Sequence, residues 1–261
     1  MPPAEPRLAE TIALGLLQGP SELLPVSSSA HVGLLPWALG WRHAALPGAA
    51  RKEVEVALHA GTALALLVAE RRVPRWGLLA AATAPPALAG LLGERVVEAR
   101  LGTPGAVTAG LLAGSAAMVL ADRGPAWRGA AGASLADGAW LGAAQAAALV
   151  PGVSRSGATR AVARARGFGR ADAAALSREV ALPVLAGATA LKGTRLLRRR
   201  PPAATWRALG AGAAAAALST VGALRAERVL AADAPLAAWA AYRTAVAGAV
   251  IVTGVCQDRA R

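Results

Sequence analysis

Residues 18–31 read Gln18-Gly19-Pro20-Ser21-Glu22-Leu23-Leu24-Pro25-Val26-Ser27-Ser28-Ser29-Ala30-His31, and residues 151–159 read Pro151-Gly152-Val153-Ser154-Arg155-Ser156-Gly157-Ala158-Thr159. Each is a polar break in apolar sequence. The first interrupts the stretch from Leu8 to Trp41, the second the stretch from Leu135 to about Arg164. Proline removes a backbone donor and ends regular helix, and glycine admits a tight turn. Each stretch therefore reads as a short helix, a Pro/Gly turn and a second short helix. Broken backbone at membrane depth is tolerated only where protein or a wet cavity covers it. The two stretches are predicted to be re-entrant helical hairpins of an all-α, polytopic membrane protein.

Composition supports a membrane chain. Hydrophobic residues make up 55% of the sequence, charged residues only 16%, and mean hydropathy is +0.45. A soluble protein carries about 25% charge, so too little polar surface exists here to coat a water-soluble fold. The net charge is +13. Its arginines cluster between apolar runs, as in Arg71-Arg72-Arg75, Arg198-Arg199-Arg200 and Arg225-Arg228. That pattern suits loops meeting anionic headgroups better than the basic stripe of a nucleic-acid binder. Cys256 is the single cysteine, so no intrachain disulfide forms.

A span needs about 20 mainly apolar residues. Six are predicted: Val54–Ala69, Trp76–Gly93 (with Pro85-Pro86 inside), Leu101–Ala121, Val180–Leu191, Ala208–Leu224 and Leu236–Gln257, the last interrupted by Arg243. Trp76, Trp206 and Trp239 suit the interfacial belt. A shift of 127 residues aligns Gln18 with Gln145, Ser27 with Ser154, Ser29 with Ser156, Thr62 with Thr189 and Arg71-Arg72 with Arg198-Arg199. Residues 1–261 thus read as one membrane domain of two repeats, about 8–121 and about 135–257. Each has one hairpin and three spans. Three is odd, so the second repeat is expected to be inverted, with a site at the repeat interface.

The polar breaks carry the chemistry. Gln18 and Glu22 are four apart and share a helix face. Ser27, Ser28 and Ser29 can open the next helix, where free backbone N–H groups cap and bind anions. A charge at bilayer depth costs roughly 2.5–3.5 kcal/mol on insertion scales, which argues for function at Glu22. In the second break Arg155 offers a planar fork to phosphate oxygens. Ser154, Ser156, Gly157 and Thr159 let backbone and hydroxyl donors approach the same anion. An acid, a histidine, hydroxyls and a guanidinium make a phosphoryl-transfer set. No metal-cage spacing occurs, but a lone carboxylate such as Glu22 with substrate phosphates can hold Mg²⁺ or Ca²⁺. Arg160, Arg164, Arg166 and Arg170 read as a separate headgroup-facing surface. His59, four residues after Glu55, reads equally as a cavity residue or an interior histidine.

The segments QGPSELLPVSSSAH and PGVSRSGAT closely resemble the two signatures of the bacterial undecaprenyl-diphosphatase (bacitracin-resistance) family, and EVALHAGT (55–62) and ALPVLAGATAL (181–191) are similar to its middle segments. The resemblance runs along nearly the whole chain. It implies a multi-pass enzyme of the bacterial cell membrane that hydrolyses undecaprenyl diphosphate to undecaprenyl phosphate and recycles the carrier of cell-wall synthesis. It also implies a site facing outside. It makes Glu22, His31 and Arg155 essential and matches Ser28 to the serine proposed as nucleophile, which attacks the terminal phosphorus or positions the water that does, with proton transfer falling to Glu22 and His31. Gln18, Ser27, Ser29, Ser154, Ser156, Gly157 and Thr159 are the expected substrate contacts. A polyprenyl diphosphate and membrane lipids are the expected partners, a homodimer is left open, and neither nucleic acid nor an organic cofactor is expected. Three positions depart from the family pattern: Ala30, His59 and Arg178-Glu179. The rival reading is an inverted-repeat transporter or lipid flippase, which would move its substrate without releasing phosphate.

Overall fold

The computed structural model describes residues 5–70, 74–231 and 233–259; Arg71 and Arg72 of the matched arginine pairs lie outside them. Ten α-helices form among the described residues: α1 Leu8–Leu23, α2 Ser28–Ala38, α3 Gly48–Ala69, α4 Trp76–Arg100, α5 Pro104–Ala121, α6 Leu135–Ala147, α7 Arg155–Ala165, α8 Arg170–Arg199, α9 Ala203–Ala226 and α10 Leu236–Arg259. A π-helical turn, Glu227–Ala231, extends α9. Five helices are long and apolar enough to cross a membrane: α4, α5, α8, α9 and α10. The predicted sixth span, α3, has the length but carries Arg51, Lys52, Glu53 and Glu55 in its first two turns. It is an amphipathic helix packed against α8 and α9. Leu67, Val68, Leu91, Leu92, Leu120 and Leu218 are more than half exposed, an apolar outer surface that only lipid satisfies.

Helix ends follow local chemistry. Thr103 caps α5 by accepting the Ala106 N–H, with Pro104 at the first helical position. The span predicted from Leu101 therefore starts three residues later, because Leu101 still closes α4. Ser134 and Asp137 form a capping box at α6. Helix α4 runs unbroken through Pro85 and Pro86. Trp76 and Trp206 are exposed as an interfacial role requires, whereas Trp239 is partly buried against Met118 and Leu236.

Both helical pairs turn back on themselves. In the first, the Glu10 carboxylate near the start of α1 accepts the backbone N–H of Arg42 (3.2 Å) and His43 (2.9 Å), just past α2. In the second, Asp137 near the start of α6 pairs with Arg166 at the end of α7 and with Arg128 (2.6 Å). The two open ends lie at opposite ends of the molecule. Glu53 meets Arg199 at the first end (3.4 Å), while Asp122 meets Arg170 and the Leu236 N–H at the second. The first hairpin packs chiefly on α9 and the second on α4.

Small residues let these helices meet backbone to backbone. A Cβ at Gly15 would sit 2.3 Å from the Gly212 carbonyl oxygen, and one at Gly61 would sit 2.0 Å from that of Ala213. Ser219 then serves the interface as polar glue, donating to the Gly15 carbonyl (2.9 Å) and accepting the Gly19 N–H (3.2 Å). The Ala/Gly richness that weakens each span's lipophilicity is thus what makes the bundle close-packed.

The arginine run after the second signature is not a headgroup surface. Arg160 pairs with Glu227, Arg164 with Asp122 (2.8 Å), Arg166 with Asp137 and Arg170 with Asp122 (2.9 Å). Arg160 and Arg164 are buried, and a buried guanidinium persists only when paired and hydrogen-bonded. Burial alone would raise the Asp122 carboxyl, but hydrogen bonds from Arg170, Arg164 and the Leu236 N–H hold it below the usual carboxylate range. Arg178 likewise bridges Glu70 (3.2 Å) and Glu227 (2.7 Å), and Glu179 pairs with Arg75. The charged interruption of that apolar stretch is therefore an internal ion-pair set.

Arg243 is fully buried, and among the described residues no carboxylate pairs with it. It donates to the carbonyls of Gly152 (2.9 Å), Leu111 (3.0 Å) and Val153 (3.1 Å) and to Ser115 Oγ (3.1 Å), and reaches the Pro25 carbonyl at 3.4 Å. One side chain of α10 thereby holds the turns of both hairpins. Each buried carbonyl stripped of its donor costs about 1–3 kcal/mol. Arg243→Met is therefore expected to lower the detergent melting temperature by about 5 °C or more. A wild-type melting curve would show that these contacts hold nothing.

Candidate active site

The tips of the two hairpins meet in the interior. In each, a serine at positive φ holds the N-cap position of the second helix, Ser27 at φ 77° and Ser154 at φ 74°, though only Ser154 caps it through its side chain. These two positions are 127 residues apart. Positive φ is uncommon outside glycine and marks a backbone held by its surroundings. Gly152 (φ 92°) takes the same sign just before Ser154, and a Cβ there would also lie 2.1 Å from the Val107 carbonyl oxygen.

The tips are fastened through the end of α1. A helix leaves its last carbonyls without intrahelical partners. Here successive carbonyls each find a donor from elsewhere. Glu22 accepts from Arg155 (3.3 Å), Leu23 from Arg160 (2.9 Å), Leu24 from the Ser156 hydroxyl (2.8 Å) and Pro25 from Arg243. Three cations at a helix C-terminus also suit its dipole. The N-termini of α2 and α7, whose first N–H groups have no intrahelical partner, meet at the same place.

Glu22 is the hub. Its Oε1 accepts from Arg155 Nε (3.2 Å) and Nη2 (3.1 Å). Its Oε2 accepts from the Ser28 hydroxyl at 2.6 Å and from Gln18 Nε2 at 3.2 Å, and His59 Nε2 lies 3.5 Å away. The remaining Arg155 nitrogen, Nη1, donates to the Ser177 carbonyl (3.1 Å). Glu22 is only 5% exposed, so its charge is balanced by these donors rather than by water.

These groups line one wall of a cavity of about 470 Å³. Gln18, Glu22, Ser27, Ser28, Ser29, Ser154 and Arg155 all face it. The opposite wall is apolar and comes from α4 and α8. It includes Leu91 and Leu191, which are 73% and 46% exposed on the outer surface. A charged head and a hydrocarbon tail would thus each find a matching wall.

Other predicted residues stand behind this wall. Ser156 is spent on the Leu24 carbonyl, and the Gly157 N–H donates to Ser154 Oγ (3.1 Å). Thr159 Oγ1 donates to the Arg155 carbonyl (2.8 Å) and meets Ser177 Oγ (2.7 Å). His31 points away from Glu22, with Nδ1 2.8 Å from the Ser27 carbonyl and Nε2 2.7 Å from the Tyr242 hydroxyl. The histidine beside Glu22 is His59, whose Nδ1 meets the Glu55 carbonyl at 2.8 Å. Its spacing of four from Glu55 was the one sequence signal for it. Nothing local in sequence marked Tyr242, Arg243 or Ser177 as neighbours of the turns.

Among the described residues no group of three His, Cys, Asp or Glu side chains gathers to hold a metal. Both Glu22 oxygens are already taken by donors, one of them a guanidinium. This donor set does not fit a resident divalent ion.

Known proteins are similar along most of this length. The family model described as bacitracin resistance protein BacA matches residues 11–250. A protein of Geobacter sulfurreducens named undecaprenyl-diphosphatase is 38% identical over 230 residues, covering 79% of this chain and 83% of its own. A protein of the same name from Pelobacter propionicus is 35% identical over 238 residues, covering 81% and 84%. One from Pelotomaculum thermopropionicum is 35% identical over 201 residues, covering 70% and 74%. Both signature turns, the hub acid between them and the helices that carry them fall within the matched residues, and the chain belongs to the bacitracin resistance protein BacA family.

Proposed function

We propose that this chain hydrolyses undecaprenyl diphosphate to undecaprenyl phosphate and inorganic phosphate, and so recycles the lipid carrier for cell-wall synthesis. Family membership and the names of its relatives carry the reaction. The observation that best supports it in the structure is the 2.6 Å hydrogen bond from Ser28 to Glu22, set between two helix N-termini and beside Arg155. In this reading the prenyl tail lies along the apolar wall toward lipid. The diphosphate oxygens take donors from Arg155 and the turn N–H groups.

Ser28 Oγ attacks the terminal phosphorus as its proton passes to Glu22 Oε2. The bridging P–O bond breaks and undecaprenyl phosphate leaves. Water then attacks the phosphoserine, releases inorganic phosphate and regenerates Ser28. The short hydrogen bond supports Glu22 as the acceptor. His31, expected to share the proton work, supports the same turn through the Ser27 carbonyl. Gln18 and His59 orient the carboxylate. Were a divalent cation, Mg²⁺ or Ca²⁺, to accompany the diphosphate, Glu22 would be the residue to hold it, and the ion would neutralise charge on the phosphate oxygens.

The two-repeat organisation, about 8–121 and 135–257 with opposite orientation, supports this placement. Helices α1, α2 and α4 start 127 residues before α6, α7 and α9, and the hairpins open at opposite ends. The site is then the repeat interface, in the cell membrane of a bacterium. The test is purified protein in detergent with a C55 or shorter prenyl diphosphate, scored for inorganic phosphate. Stoichiometric phosphate is expected. Lipid movement across vesicle bilayers without phosphate release would overturn the hydrolase in favour of a transporter.

A further inference from the structure

The chain has one tyrosine, Tyr242, and the structure places it on His31. The Ser27 carbonyl can only accept, so the contact at His31 Nδ1 (2.8 Å) fixes the ring hydrogen on that nitrogen. In the neutral ring the lone pair then sits on Nε2. The Tyr242 hydroxyl, 2.7 Å away, is its donor. The two rings lie parallel, with 3° between planes and 5.7 Å between centroids. Of this turn, Ser27, Ser28, Ser29 and Val32 form the cavity wall and His31 does not. His31 therefore reaches the reaction through the Ser27 carbonyl. Ser27 is the strained left-handed residue that sets where Ser28 begins α2.

We propose that Tyr242 is a positioning residue for the reaction: its hydroxyl locks His31 in the Nδ1–H tautomer, and His31 in turn holds the Ser27 turn that aims Ser28. Its neighbour Arg243 grips the Pro25 and Gly152 carbonyls from the same helix. Thus α10 steadies both sides of the first turn. The proposal rests on the reading of Ser28 as nucleophile given above.

Tyr242→Phe keeps the stacked ring and removes only the donor. With the chain's three histidines ¹⁵N-labelled, and the signals assigned with His43→Gln and His59→Gln, the wild type is expected to show His31 as the Nδ1–H tautomer. In Tyr242→Phe the Nε2 resonance should move downfield as it loses its donor. The same variant should lose about tenfold in kcat, with KM and melting temperature near wild type; a factor of ten is about 1.4 kcal/mol, within what one neutral hydrogen bond accounts for. A merely structural role would move the melting temperature and leave the tautomer alone. An Nε2–H tautomer in the wild type, an unshifted Nε2 resonance in Tyr242→Phe, or an unchanged kcat would each overturn the proposal. Failure of the underlying reading is distinguishable, because wild-type turnover in Ser28→Ala overturns the nucleophile whatever the histidine resonances do.

Discussion

Replacing Glu22 by glutamine is expected to cut kcat for phosphate release by about a thousandfold, within the 10²–10⁴ range of general-base catalysis. Shape is preserved by the substitution and charge is not. Glu22 Oε2 accepts the Ser28 hydroxyl at 2.6 Å and, in the proposed mechanism, takes its proton, which the amide has no basic oxygen to receive. The amide also cannot satisfy its neighbours. Arg155 donates twice to Oε1, while Ser28 and Gln18 donate to Oε2. Whichever way the amide turns, its NH₂ faces donors. Arg155, 12% exposed, would also be left without its counter-charge, a loss of up to about 3–5 kcal/mol, the cost of removing one partner of a fully buried pair. Melting temperature should therefore fall along with kcat. Glu22→Asp separates the two effects. The shorter carboxylate keeps the charge but cannot span Ser28 and Arg155 together, so stability should recover more than turnover. Wild-type kcat in Glu22→Gln would remove Glu22 from the chemistry.

The features legible in the sequence were those written in local chemistry. Pro25, Pro151 and Gly152 sit where helices must break, and the structure ends α1 at Leu23 and α6 at Ala147 just before them, while Pro20 is carried inside α1. The 127-residue offset pairs Ser27 with Ser154; both prove to be N-cap residues, and nothing in the offset announces that both adopt positive φ. What stayed hidden depends on distant partners. The carboxylates that turn the Arg160–Arg170 run inward are 29 to 67 residues away in sequence. A helix face alone does not reveal them, so the run read as surface. Arg243 looked like a blemish in a span because its partners are carbonyls, which every sequence contains and none advertises. His59 was ambiguous for the same reason. Its four-residue spacing from Glu55 says that the two share a face, but only the packing of α3 beside α1 puts that face on Glu22.

The second large effect is expected at Arg155, and it separates charge from geometry. All three guanidinium nitrogens are used: Nε and Nη2 on Glu22 Oε1, Nη2 also on the Glu22 carbonyl, and Nη1 on the Ser177 carbonyl. The free site thus keeps the fork flat and aimed while its charge is balanced by Glu22. In the proposed mechanism an arriving diphosphate competes for that fork with more negative charge than one carboxylate, and charge-assisted bidentate bonds are the strong kind. As the guanidinium turns to phosphate, Glu22 keeps its hold on Ser28 through Oε2. Arg155→Lys retains the charge but offers a point donor on a flexible stem, which cannot serve Glu22, Ser177 and phosphate at once. It should lose about 100-fold in kcat/KM, or roughly 2.7 kcal/mol of transition-state stabilisation. Arg155→Ala should lose about a thousandfold or more, because it removes the charge as well and leaves Glu22 buried beside its remaining donors alone. Guanidinium ion added to Arg155→Ala tests whether position or mere charge is at stake. Partial recovery of phosphate release by guanidinium, but not by an equal concentration of ammonium, is the expected result. If Lys and Arg prove equivalent at this position, the fork has no part in holding the diphosphate, and the turn N–H groups of α2 and α7 must carry the anion themselves.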